Sequence, residues 1–403
     1  MITSIFKIYK SAFSGLDRNS WLLSLVLFIN RAGYMVLPFM GLYITQSLHR
    51  STSDAGLIIS LFGIGSMLGA TAGGKFTDMI GFKTVQIISS VCTGVFFILF
   101  AEIKDFQILC ILSLVISFFS EAFKPANYSA IAAYSKPQNL TRSYSLNRLA
   151  TNLGWAFGVS LGGIVASYNY KLLFYIDGIV NIVIGIIIFL LLPNVLIKKA
   201  ANDNLDKKVK IIPPYKDIVF LKFIVLTIIF AICFFLMFRV VPIFFKEEWN
   251  IDEFQIGIIL GVNGVLIALF EMVLLYYLEN KRKPVFYIIA GTFCVGVSFV
   301  FLILPPTMPI VLALACIACF SIGEMLALPF INNFVYTRSN DYNRGQYAGG
   351  YTLSWSIASV VGPAAGFYLA ETAGYNVLWI FLGVCVLLVS LGYYLMGKHF
   401  VKV

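Results

Sequence analysis

Long apolar runs alternate with short polar breaks along all 403 residues. Each run holds about 20 residues, enough to cross about 30 Å of hydrocarbon as a helix. Reading the runs between breaks predicts twelve helices, near 19–44, 54–73, 84–103, 106–133, 144–167, 172–193, 217–245, 254–277, 284–304, 308–335, 346–370 and 375–397. Short segments of alternating hydrophobicity, the mark of a membrane barrel, do not occur. The pattern predicts an all-α polytopic membrane protein.

Composition agrees. The chain is 60% hydrophobic and 12% charged, about half the charge of a soluble domain. With both termini inside, inner segments hold twenty of the 29 Lys and Arg residues and outer loops only four (Arg50, Lys104, Lys171 and Lys246). That asymmetry orients the chain with cytoplasmic termini in a cell inner membrane. The net charge of +10 then faces anionic lipid and requires no nucleic acid. Residues 1–18 read as a cytoplasmic amphipathic tail, 19–193 as a first six-helix bundle, 194–216 as a basic cytoplasmic linker, 217–397 as a second bundle and 398–403 as a short tail.

The halves repeat. Near a shift of 204 residues, Pro38 meets Pro242, Gly158 meets Gly362, and Gly162 meets Gly366. "SEAFKP" (120–125) meets "GEMLALP" (323–329), which sets Glu121 nearly opposite Glu324; at a shift of 201, Asp78 meets Glu279. Together these argue for a duplicated six-helix unit that rocks around a midplane site.

Between helices 2 and 3 lies "GGKFTDMIGFK" (73–83). Its spacing Gly74-x-x-x-Asp78-x-x-Gly81-x-Lys83 resembles the loop signature of the major facilitator superfamily, as do the length, span number, orientation and half-repeat. Met79 and Phe82 stand where that family usually has basic residues. Gly74 and Gly81 would permit close approach and a tight reversal. Asp78 could accept from free N–H groups at a helix start. In proteins this chain resembles, that Asp ties the loop to helix 11 and holds the lobes together in the outward-open state; an ordinary solvated turn is the alternative.

Charges inside a bilayer cost about 2.5–3.5 kcal/mol each on insertion scales and are functional by default. Glu121, Glu324, Arg31 and Arg239 lie within helices 4, 10, 1 and 7, with Lys124 one turn from Glu121. The resemblance implies that these same four helices line the cavity. Glu121 and Glu324 are then the proton-coupling candidates, with Arg31 and Arg239 as counter-charges; a fixed Glu–Arg brace is the alternative. Asn30, Tyr34, Tyr128, Phe330 and Asn333 complete the expected cavity. Arg148 and Glu271, nearer the inner ends of helices 5 and 8, read as gates or braces, and Asp177 as a secondary charge. Gly154, Gly158 and Gly162 resemble the helix-5 signature of superfamily antiporters, with Val159 in place of its Pro; the repeat copy Gly362-Pro363-x-x-Gly366 keeps the Pro. Tight helix packing explains the same spacing.

Seven cysteines fall in apolar runs and read as core residues. His49 and His399 are the only histidines, so imidazole chemistry has little material. With no phosphate-binding loop and no metal cluster, the chain reads as a transporter without cofactors, not an enzyme. The expected activity is proton-coupled efflux of amphipathic small molecules, cationic ones among them, by a monomer; proton-coupled uptake and lipid flipping are the alternatives.

Overall fold

The computed structural model describes residues 16–136, 140–193, 213–278, 281–338 and 344–397. Most of the expected tails and linker, and the partner Glu279 of the half-repeat, lie outside the described residues. Within them the chain is helical, with no strand, and twelve helices are long and apolar enough to cross a membrane. They are α1 (Arg18–Ser47), α2 (Thr52–Ile80), α3 (Phe82–Glu102), α4 (Phe106–Tyr134), α5 (Leu140–Tyr168), α6 (Tyr170–Leu191), α7 (Ile218–Glu247), α8 (Glu253–Leu278), α9 (Pro284–Phe301), α10 (Pro309–Arg338), α11 (Arg344–Ala373) and α12 (Tyr375–Leu395).

Polar residues in the breaks start these helices. The side chains of Ser51, Asp105 and Asn169 accept from backbone N–H groups of the first turns of α2, α4 and α6, which satisfies donors that have no partner inside the helix. Two helices are interrupted. α1 breaks at Gly33–Met35, and the buried Asp177 carboxylate accepts from Met35 N (3.2 Å) and Val36 N (2.9 Å) where the helix resumes. α7 breaks at Val240, between Ile218–Arg239 and Val241–Glu247.

Each half packs by the same plan. In the first, α1 lies on α5, α2 on α4, and α3 on both α4 and α6. In the second, α7 lies on α11, α8 on α10, and α9 on both α10 and α12. The halves meet through α2 on α11 and α5 on α8. The repeat extends to an ion pair at the start of each bundle. Asp17 before α1 pairs with Lys136 after α4 at 3.4 Å, and Asp217 before α7 takes Arg338 at the end of α10 at 2.8 Å. Pro125 and Pro329 also sit at matching places inside α4 and α10.

Glycine stripes allow backbones to touch where no hydrophobic force draws helices together. A Cβ on Gly69 would stand 2.0 Å from Phe118 O, and one on Gly73 2.6 Å from Ala122 Cα. The Gly65-x-x-x-Gly69-x-x-x-Gly73 run that seats α2 on α4 is plain in the sequence, yet the packing expectation fell on the helix-5 run and its helix-11 copy.

Candidate functional site

The two bundles enclose a central cavity of about 690 Å³. Its charged lining is Arg31, Glu121, Lys124, Arg239 and Glu324, one set of groups from α1, α4, α7 and α10. The face that carries the start of α1 and the end of α12 is the one sequence reading marks as basic. The cavity reaches toward it, past Tyr128, which is 61% exposed.

On the opposite face the bundles are closed against each other. A Cβ on Gly41 of α1 would meet Ile243 of α7 at 2.6 Å, and one on Gly56 of α2 would meet Phe367 of α11 at 2.7 Å. Gly163 and Gly257 bring α5 and α8 into similar backbone contact. Hydrogen bonds cross the same seam. Tyr170 Oη donates to Glu253 (2.5 Å), Gln46 Nε2 to Glu247 (3.4 Å), and Ser53 N to Glu371 (2.5 Å). Lys246 also holds Glu253 (3.0 Å), and Tyr375 holds Glu247 (2.7 Å).

Inside the cavity the charges sort themselves. Glu121 takes Lys124 on its own helix at 2.5 Å, with Lys124 half-exposed. Glu324 accepts from Asn263 Nδ2 at 3.0 Å, and the same amide donates to Ser321 Oγ at 3.0 Å. Arg148 of α5 pairs with Glu271 of α8 across the bundles, and both interact electrostatically with Glu324. The anticipated Glu–Arg pairing takes a different form. Arg31 and Arg239 form no ion pair with any described residue; Arg31 lies over the Tyr34 ring (5.4 Å) and Arg239 over Phe62 (5.9 Å). Each closes the first half of its interrupted helix, where the C-terminal end of the dipole favours a cation.

An aromatic wall faces these groups. Phe234 packs against Trp355 (5.4 Å) and Phe238 (5.5 Å), and Phe235 against Trp355 (5.7 Å). Trp155 from the first bundle meets Phe238 from the second at 5.9 Å, nearly perpendicular. Trp155, Phe235, Trp355 and Asn263 were not expected here. Only a packed structure says which side of a uniformly apolar helix looks inward.

Several expected positions fall elsewhere. Asn30 does not line the cavity; it is buried and donates to Asn181 Oδ1 (3.1 Å), whose amide donates to the Asp177 carbonyl (2.8 Å). Asp177 is correspondingly the cap of the resumed α1. Phe330 stacks on Tyr287 (4.6 Å), and Asn333 is exposed; neither is part of the lining. Helical geometry explains both, because α10 presents Glu324 inward and turns these positions to other sides of the helix.

The 73–83 stretch also differs from a loop. α2 continues to Ile80, so Gly74 and the exposed Asp78 are helical, and the chain reverses at Gly81 alone, at φ +86°. A Cβ on Gly74 would meet nothing within 4 Å, so close approach is not its role here. Lys83 Nζ donates to the carbonyls of Phe189 (3.0 Å) and Leu192 (2.7 Å), capping the end of α6 within its own bundle. Gly154 and Gly158 would set a Cβ 2.7 Å from α1 at Arg31–Ala32. Gly162 lies against Met35 and Phe39, and in the second bundle Gly366 lies against Leu236 of α7, one turn from Pro363. The stripe therefore seats α5 against the break in α1.

Residues 22–363 match the sequence model of the Major Facilitator Superfamily. A Na(+), Li(+), K(+)/H(+) antiporter of Planococcus maritimus is 23% identical over 88% of this chain and 89% of its own. The quinolone resistance protein NorA of Staphylococcus aureus is 21% identical over 62% of this chain and 63% of its own. Among solved structures, the nucleoside transporter NupG superposes with a TM-score of 0.81 at 14% identity, covering 94% of this chain and all of that one. A POT family transporter bound to 5-aminolevulinic acid superposes at 0.77 and 16% identity, over 97% and 98% of the two chains.

Proposed function

Because the chain belongs to the major facilitator superfamily and is therefore a multi-pass membrane transporter rather than an enzyme, we propose that it works by alternating access as a proton-coupled antiporter of amphipathic small molecules. The observation that carries the reading is the placement of Glu121 and Glu324, one from each bundle, on a single cavity shut on one face. The basic face is cytoplasmic in this reading, since Lys and Arg favour that side, so the cavity takes its substrate from the cell interior.

Glu324 is the proton carrier. Its ionised form shares the field of Arg148 with Glu271, two carboxylates to one guanidinium. Protonating Glu324 removes one of them and leaves a balanced Arg148–Glu271 pair across α5 and α8. The proton therefore alters the tie between the bundles, which is what coupling to a rocking motion requires. The names of the Planococcus and Staphylococcus relatives, an antiporter and a drug-resistance protein, support exchange. Uptake by symport is the second reading: Arg31 keeps the Arg of the Glu-x-x-Glu-Arg motif in the first helix of the peptide symporters, with Leu27 and Asn30 standing where its two Glu belong.

Proteoliposomes holding a pH-sensitive dye, with an imposed gradient, separate the two. Protons leaving acidic vesicles as a compound enters establish antiport, and co-movement establishes symport. Glu324→Gln should abolish the coupled signal while leaving the protein folded; coupling that survives it removes Glu324 as the carrier, and coupling that survives Glu121→Gln as well sinks the scheme.

A further inference from the structure

We infer that the cavity selects organic anions, in particular a carboxylate joined to a flat aromatic body, and disfavours cations of the same shape. The inference rests on the reading of this cavity as the transport site. Its starting point is a charge imbalance. The lining carries three cationic groups, Arg31, Lys124 and Arg239, against two carboxylates. Lys124 is already committed to Glu121, and Glu324 is held by an amide. The two guanidiniums form no ion pair with any described residue, and Arg239 feels the Glu121 carboxylate that Lys124 already holds.

They are also left with unfilled donors. Arg31 Nε and Arg239 Nη1 are buried and have no hydrogen-bond partner among the described residues. Buried N–H groups are nearly always paired, and a charged one left bare is costly. The rings of Tyr34 and Phe62 beneath them offer a π face, not a lone pair. A carboxylate in the cavity supplies the missing counter-charge, since its two oxygens accept in parallel from the planar fork of an Arg.

The rest of the pocket defines what the carboxylate is attached to. Phe238 immediately precedes Arg239, and Trp155 follows Gly154, which packs on Arg31 Cβ. Both arginines line the same cavity as the Trp155–Phe238 contact and the wall of Phe234, Phe235 and Trp355. Offset or edge-on stacking there suits a one- or two-ring aromatic body. The arginines come from different bundles, so one substrate carboxylate near both would respond to their relative position as the bundles rock.

Equilibrium competition on the purified full chain at pH 7, without any gradient, tests this. The probe is tritiated 2-naphthoate, and the competitors are 2-naphthylmethylammonium and 2-naphthalenemethanol. The carboxylate should bind at least about tenfold tighter than the alcohol, and the ammonium should not displace it. Arg31→Gln and Arg239→Gln should each weaken 2-naphthoate by about tenfold or more, while the alcohol moves less than twofold. Trp355→Ala should weaken both ligands alike. Near-constant alcohol affinity in the Arg variants reports a folded pocket.

The inference falls if the ammonium binds as tightly as the carboxylate. It also falls if both Arg variants bind 2-naphthoate like the parent, or if no naphthyl compound binds. Carboxylate binding without proton-linked flux in vesicles would sink the coupling scheme and leave the anion site standing. Proton-linked flux of the ammonium alone would do the reverse.

Discussion

Asp217 and Asp17 occupy equivalent places in the two bundles, and the structure makes their removal unequal. Asp217 is 8% exposed and accepts from Arg338 Nε and Nη2 (both 2.8 Å), Tyr347 Oη (2.9 Å), Val219 N (3.1 Å) and Phe220 N (3.2 Å). Asp217→Ala leaves the Arg338 guanidinium without its carboxylate. Breaking a buried pair costs about 3–5 kcal/mol, and the lower end applies because Arg338 is 29% exposed. Loss of the α7 cap adds about 1 kcal/mol. The Asp17 side chain forms, among the described residues, only the 3.4 Å pair with Lys136, at side-chain exposures of 36% and 60%, and makes no cap bond. Exposed pairs of that kind contribute about 0–1 kcal/mol. The expected gap between the two Ala variants is therefore about 3 kcal/mol. Mixed-micelle unfolding followed by tryptophan fluorescence reads it directly.

The pH dependence has a definite sign. Burial disfavours the Asp217 carboxylate, but Arg338, the N–H groups and Tyr347 outweigh it and hold its pKa below the usual range; the same pair raises that of Arg338. A depressed acid stabilises the fold above its unfolded pKa, about 3.9, and that stability is lost as pH falls through the folded value. Asp217→Asn should thus differ from the parent by a constant amount between about pH 5 and 8 and converge with it only in stronger acid. Equal losses from Asp217→Ala and Asp17→Ala would refute the reasoning, as would a gap that closes toward alkaline pH.

Other variants probe other parts of the molecule. Gly69→Ala would drive a Cβ into the Phe118 backbone and should cost about 1–3 kcal/mol by overpacking. Gly74→Ala meets open space and should gain up to about 1 kcal/mol from helix propensity; thermal melts compare the two, and a loss at Gly74 would restore a packing role there. Arg148→Gln strands Glu271, whose side chain is 7% exposed, and should cost no more than about 3 kcal/mol because Arg148 itself is 51% exposed, with Glu271→Gln in the same chain recovering much of it. Glu253→Gln weakens the Tyr170 contact across the closed seam and the Lys246 contact that holds Glu253 within the second bundle, so a cysteine placed at Ser359 should react faster with an impermeant thiol reagent added from that face; an unchanged rate would show that Glu253 does not hold the seam.

The chain's own pattern determined the twelve spans, their approximate ends and the two-bundle plan. These follow from local quantities: runs of about 20 apolar residues must become helices in hydrocarbon, and a repeat is visible wherever Pro38 and Pro242, or Pro125 and Pro329, recur at one spacing. It also singled out Arg31, Glu121, Lys124, Arg239 and Glu324, because charges inside apolar runs stand out; that they share one cavity was what the resemblance to the superfamily implied. Side-chain partnership was beyond it. Asn30 and Asn263 are the same residue type in comparable surroundings, yet one braces Asn181 and the other holds Glu324. The α2 extension through Gly74 and Asp78, the stacking of Phe330 on Tyr287, and the bare guanidiniums of Arg31 and Arg239 depend on helix rotation about the long axis. In α8, α10 and α11 apolar residues circle the helix, so hydrophobicity has no preferred side to report. Rotation there is set by glycine contacts and the paths of neighbouring helices, which only the tertiary structure decides.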